Sequence, residues 1–167
     1  MAKIIIKGGV EFLEVNVFGD SKHLNPHLIN ISQIRYIREY TEAREGREVR
    51  EDRKAWAIFA GRKMMPTYDD IGLNRNIPGD TVRIGKQEFE CSLGSSLTEK
   101  INNCLFFINY QHIVHLRRFV STPGVEKDSP KKENKDNPET VKFALINTDD
   151  WLIKAEIDIN KAHVPVQ

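Results

Sequence analysis

Two stretches decide the fold: Ile4-Ile5-Ile6-Lys7-Gly8-Gly9-Val10-Glu11-Phe12 and Val82-Arg83-Ile84-Gly85-Lys86-Gln87-Glu88-Phe89. In the first, β-branched residues run into Gly8-Gly9 and out again, which predicts a hairpin whose turn needs positive φ. The second parallels it in the other half of the chain. The parallel continues in order along both halves, the signature of an internal repeat. Ile29-Asn30-Ile31-Ser32-Gln33-Ile34-Arg35-Tyr36-Ile37-Arg38 answers to Ile108-Asn109-Tyr110-Gln111-His112-Ile113-Val114-His115-Leu116-Arg117. Trp56-Ala57-Ile58-Phe59 answers to Phe143-Ala144-Leu145-Ile146, and Tyr68-Asp69-Asp70-Ile71 to Glu156-Ile157-Asp158-Ile159.

The expected fold is therefore mostly β with little helix: two tandem pseudo-repeats, each an antiparallel meander or half-barrel of about five strands. The first repeat covers 1–71 and the second 81–167. Between them, 72–80 (Gly72 to Asp80) is rich in Gly, Asn and Pro and reads as a linker or turn.

Within each repeat the expected strands follow the β-branched and aromatic runs. Residues 3–7 and 10–18 form the hairpin, and apolar and polar residues roughly alternate from Leu13 onward, as on a half-buried strand. Ile34 and Ile37 sit three apart, a helical spacing. The counterpart, Phe106 to Val120, is dense in Ile, Val, Phe and Leu, so both are read as strands. Ser96 and Glu99 have capping-box spacing, which allows a helical turn there.

Each long strand leads into a charged excursion. The first, Thr41 to Lys54, carries five basic residues, Arg44, Arg47, Arg50, Arg53 and Lys54, and five acidic ones, so it has no net charge. The second, at 121–140, is proline-containing and charged, and reads as a mobile insert that buries too little apolar surface to offset its ordering entropy.

Composition narrows the function. The 167 residues carry 25 basic and 24 acidic side chains, a net charge of +1, which argues against a dedicated polyanion binder. Neither half is a charged tail: the first has 13 basic and 11 acidic residues, the second 12 and 13. Two cysteines, Cys91 and Cys104, make no disulfide framework and point to a reducing compartment. The apolar run at the N-terminus is too short for a signal peptide, and no stretch reaches membrane-spanning length. The expectation is a chain without membrane contact, located in the cytoplasm or within a particle assembled inside the cell.

Catalytic patterns are weak. His23 and His27, and His112 and His115, are close in sequence, but Cys or carboxylate partners at zinc-ligand spacing are missing. The histidines read as surface or loop residues, the cysteines as small core residues, and Asp149-Asp150 as turn chemistry. Neither phosphate-binding glycine pattern occurs. No catalytic residue, metal or cofactor is expected.

Two binding readings remain. The first is a non-catalytic structural or adaptor protein, a subunit of a viral or other large assembly. Sheet edges and the charged excursions, with Arg44, Arg47, Arg50 and Arg53, would contact a protein partner or a second copy. The second is a nucleic-acid-binding β-barrel protein using the basic and aromatic residues Arg35, Tyr36, Arg38, Arg117 and Arg118. Ser32-Gln33-Ile34-Arg35-Tyr36-Ile37-Arg38 resembles the opening strand of LytTR-type DNA-binding domains, and Ile108-Asn109-Tyr110-Gln111-His112-Ile113 is similar to the start of small flagellar proteins of the FlbD type. Each likeness is confined to those few residues, and the two families differ in function. Neither therefore transfers a functional residue.

Overall fold

The computed structural model describes residues 2–18, 26–40, 54–73, 77–119, 142–148 and 151–155. The protein is mostly β and its strands pair antiparallel. The first half runs β1 (Lys3–Lys7), β2 (Val10–Asn16), β3 (Pro26–Asn30), a 3-10 turn (Ile31–Gln33), β4 (Ile34–Glu39), β5 (Trp56–Ala60) and β6 (Lys63–Thr67). The second runs β7 (Thr81–Ile84), β8 (Gln87–Ser96), β9 (Ile101–Asn109), a 3-10 turn (Tyr110–His112), β10 (His115–Phe119), β11 (Lys142–Thr148) and β12 (Trp151–Ala155).

Strands β1, β2 and β3 form one sheet. A second runs β10-β11-β12-β8-β9-β4-β5-β6, with β7 added on β8. The predicted hairpin is present: Lys7 faces Val10 across Gly8 and Gly9, whose φ values are 61° and 79°. Two successive positive φ angles define the turn that matches strand twist, and only residues without a Cβ adopt them at little cost.

Among the described residues each half contributes six strands, where about five were expected. The strand missed in each lies just before a 3-10 turn. The Asn30 side chain accepts the Ser32 N–H at 3.1 Å, and Asn109 accepts the Gln111 N–H at 2.9 Å. These local bonds divert the backbone from the ladder, so what reads as one strand from Phe106 onward is the end of β9, a turn and β10.

Alternation places two cores on opposite faces of the larger sheet. One cross-strand row is Cys91, Phe107, Ile37, Ile58 and Met65, all buried in the first apolar cluster. The adjacent row, Glu90, Ile108, Tyr36, Phe59 and Met64, points the other way. Its Ile108, Tyr36 and Phe59 belong to the second cluster. Leu13, Val15 and Ile29 of the three-stranded sheet close over the first cluster. Burial of each such aliphatic or aromatic side chain contributes about 1.5–3 kcal/mol.

Both clusters draw residues from both halves. The connection at 72–80 takes part in this packing: Leu73 is buried, Gly79 N–H donates to Cys91 O at 2.7 Å, and Cys91 N–H donates to Asp80 O at 2.9 Å. The charged segments at 41–53 and 121–140 lie outside the described residues.

A buried polar network and the candidate interaction surface

Strand β4 is covered on both faces, which decides where its polar residues go. Arg38 and Tyr36 are fully buried. The Arg38 guanidinium donates through Nε to Glu99 Oε2 at 3.3 Å, through Nη2 to Glu99 Oε1 at 2.8 Å, and through Nη1 to Glu39 O at 2.8 Å. It also lies 5.3 Å from the centre of the Phe59 ring. The Tyr36 hydroxyl donates to Glu99 Oε2 at 2.9 Å. Burial, then the neighbouring Glu99 carboxylate, push the Tyr36 hydroxyl well above the ordinary tyrosine range. The forked pairing of Arg38 with one carboxylate satisfies the charge inside the protein.

Of the five residues expected to contact nucleic acid, Tyr36 and Arg38 are thus turned into this network, and Arg35 is half-buried. Arg117 and Arg118 lie on β10 opposite Leu145 and Phe143, with a bulge between them. Arg44, Arg47, Arg50 and Arg53 lie outside the described residues, as do His23 and Asp149-Asp150.

Sequence reasoning missed Glu99 as a partner, although its neighbourhood carried a signal. Ser96 Oγ accepts the Glu99 N–H at 3.1 Å, as the capping-box spacing predicts. No helix follows: residues 97–100 form the turn from β8 to β9, and the carboxylate reaches β4.

Other polar groups serve the fold. Asn109 is buried and donates to Ile34 O at 2.9 Å and Gln87 Oε1 at 3.1 Å, tying β9 to β4 and β8. Tyr110 donates to the buried Glu90 carboxylate, and burial together with that bond raises its hydroxyl above the ordinary range. Asp69 accepts the Asn16 N–H at 2.8 Å and Asp70 the Gly72 N–H at 2.9 Å, so this acidic pair makes turn and loop bonds. His112 Nε2 donates to Ser32 O at 2.6 Å, while His115 is exposed. Among the described residues, no three His, Cys, Asp or Glu gather as metal ligands.

Some of the exposed positions are aliphatic and lie on strands at sheet edges. Strand β1 pairs with β2, and β3 with β2 on its other side; among the described residues neither has a second ladder. Ile4 is 41% exposed, Ile6 66% and Leu28 52%. Ile5 and Phe12 face each other across β1 and β2, both half-buried, with Phe12 next to Asn30 on β3. Strand β10 likewise pairs with β11 alone among the described residues. Open edges with apolar flanks offer backbone hydrogen bonds and hydrophobic contact to another strand.

These features define an antiparallel β protein with a buried charge network and, among the described residues, sheet edges without a second ladder. The chain matches no family model, no curated protein and no solved structure. Among the described residues, no helix is long and apolar enough to cross a membrane.

Proposed function

We propose that this chain is a non-catalytic structural or adaptor protein, built from two related β modules and acting through protein contacts within a large intracellular assembly. The single observation that carries the reading is the pair of sheet edges at β1 and β3 that have no second ladder among the described residues, with Ile4, Ile6 and Leu28 exposed along them. Unpaired strand edges flanked by exposed apolar side chains favour the addition of another strand.

Relatedness of the modules is supported by matched detail. Both halves run three strands, a 3-10 turn and three strands. Asn30 and Asn109 cap the two turns with φ of −63° and −71° and ψ of 114° and 120°. The Val17–Thr67 bridge that ties β6 to the end of β2 has its counterpart in the Gly94–Ala155 pairing of β8 with β12. In each case the bridge follows the hairpin glycine, Gly8 or Gly85, by nine residues.

Light scattering at low and high salt tests the reading. An assembly interface of this kind gives a mass above that of one chain that changes little with salt. A single chain at every salt, binding oligonucleotide with an affinity that falls steeply as salt rises, would overturn it in favour of nucleic-acid binding. Burial of Tyr36 and Arg38 supports the first outcome.

A further inference from the structure

The join between the halves supplies a template for the partner. Strand β9 pairs with β4, placing Ile108 opposite Tyr36 and Phe107 opposite Ile37. The capping residues Asn30 and Asn109 set the correspondence between halves, 79 positions apart. By that offset β3 corresponds to β9 and β10 to β4. Among the described residues β9 and β4 are joined, whereas no ladder runs from β3 to β10.

The faces follow the same rule. Val82 and Phe89 form the third cross-strand pair from the β7–β8 turn, and with Phe107 they are buried in the first apolar cluster. The matching pair beyond the β1–β2 turn is Ile5 with Phe12, and Leu28 matches Phe107. Ile5 and Phe12 are only half-buried and Leu28 is 52% exposed. One module thus uses this edge and face against its neighbour; the other leaves both uncovered.

Resting on the two-module reading above, the geometry points to a second copy of this chain as the occupant. Its β10 pairs with β3 in the register of the β4·β9 join, with Leu116 opposite Leu28 and His115 opposite Ile29. Ile5 and Phe12 lie on the face so covered. The contact uses different surfaces on the two copies, so it is head-to-tail and propagates into a ring or a filament.

Cysteine pairing reads the join directly. Leu28→Cys and Leu116→Cys chains are mixed in equal amounts and oxidised; native Cys91 and Cys104 are buried and do not compete. The expected product has twice the chain mass, forms in the mixture, and is absent from Leu28→Cys alone. In parallel, Leu28→Lys, at an exposed site, lowers the light-scattering mass to one chain without changing the circular dichroism. Self-linking of Leu28→Cys, or an internal disulfide at single-chain mass in the double variant, overturns the head-to-tail join. So does the lack of any cross-link. An oligomer that then survives Leu28→Lys keeps the assembly reading and moves the interface to another edge. A single chain at every concentration that also binds oligonucleotide removes both.

Discussion

Arg38 and Glu99, 61 residues apart in sequence, meet inside the protein with Nη2 2.8 Å from Oε1. The bond joins β4 of the first half to the β8–β9 turn of the second, beside the ladder in which β4 and β9 pair. A surface ion pair contributes little, but breaking a buried one strands the remaining charge. Arg38→Met is expected to lower unfolding stability by about 3 kcal/mol, read as a reduced urea midpoint. Glu99→Gln should cost a similar amount, and the double variant less than the sum of the two. Additive losses would show that the two groups do not act as a pair.

Gly94 of β8 lies opposite Ala155 of β12. A Cβ there would meet Lys154 O at 2.4 Å and the Ala155 Cβ at 2.8 Å. Neither obstacle is the end of a flexible side chain, so the strands themselves must part. Gly94→Ala is expected to cost about 1–3 kcal/mol, the usual range for overpacking, with the midpoint of thermal unfolding as the readout. Gly61, with open space around its Cβ position but φ of 62°, provides the contrast of turn strain without a clash.

The two capping asparagines should differ in weight. Asn30 is partly exposed and bonds only to Ser32 among the bonds described, through its N–H at 3.1 Å and its hydroxyl at 2.8 Å. Asn109 is buried and adds bonds to Ile34 and Gln87. Asn30→Ala is expected to cost about 1 kcal/mol, the worth of a cap. Asn109→Ala should cost about 2–3 kcal/mol because it leaves the Ile34 carbonyl without this donor in the interior. Equal losses would show that the extra bonds carry no weight.

These cases separate what was legible in the chain from what was not. The Gly8-Gly9 hairpin was legible because its turn is local and its two positive φ angles favour glycine. The i, i+3 spacing of Ile34 and Ile37 mimicked a helix for a physical reason. A bulge between Ile34 and Tyr36 shifts the register, so both isoleucines reach the same core. The basic and aromatic pattern of β4 suggested an outward surface because periodicity does not distinguish a strand buried on both faces. The partner that buries Arg38 and Tyr36 is distant in sequence. The 3-10 turns were missed because each asparagine cap acts on the backbone only two residues on, within a run that otherwise has strand composition.

Cys91 gives a pH signature. Burial, with the carboxylates of Asp80, Glu90 and Glu39 adding to it, pushes its thiol from 9.0 up to about 12. Between those values the folded chain holds a proton that the unfolded chain has released, so stability falls as pH rises through that window. Below 9.0 the contribution is complete. Urea midpoints should therefore drop across this range, and less so in Cys91→Ala. An unchanged slope in Cys91→Ala would assign the alkaline loss to Tyr36 and Tyr110, whose hydroxyls are also raised.

The proposed function rests on strand addition at the edges of β3 and β10. Amide hydrogen exchange at low and high protein concentration tests it most directly, because a new ladder protects backbone N–H groups. Protection in β3, Pro26–Asn30, and β10, His115–Phe119, is expected to rise with concentration while that in the interior β5 stays constant. Protection of β3 and β10 that is the same at every concentration, in a chain that nonetheless oligomerises, would contradict it.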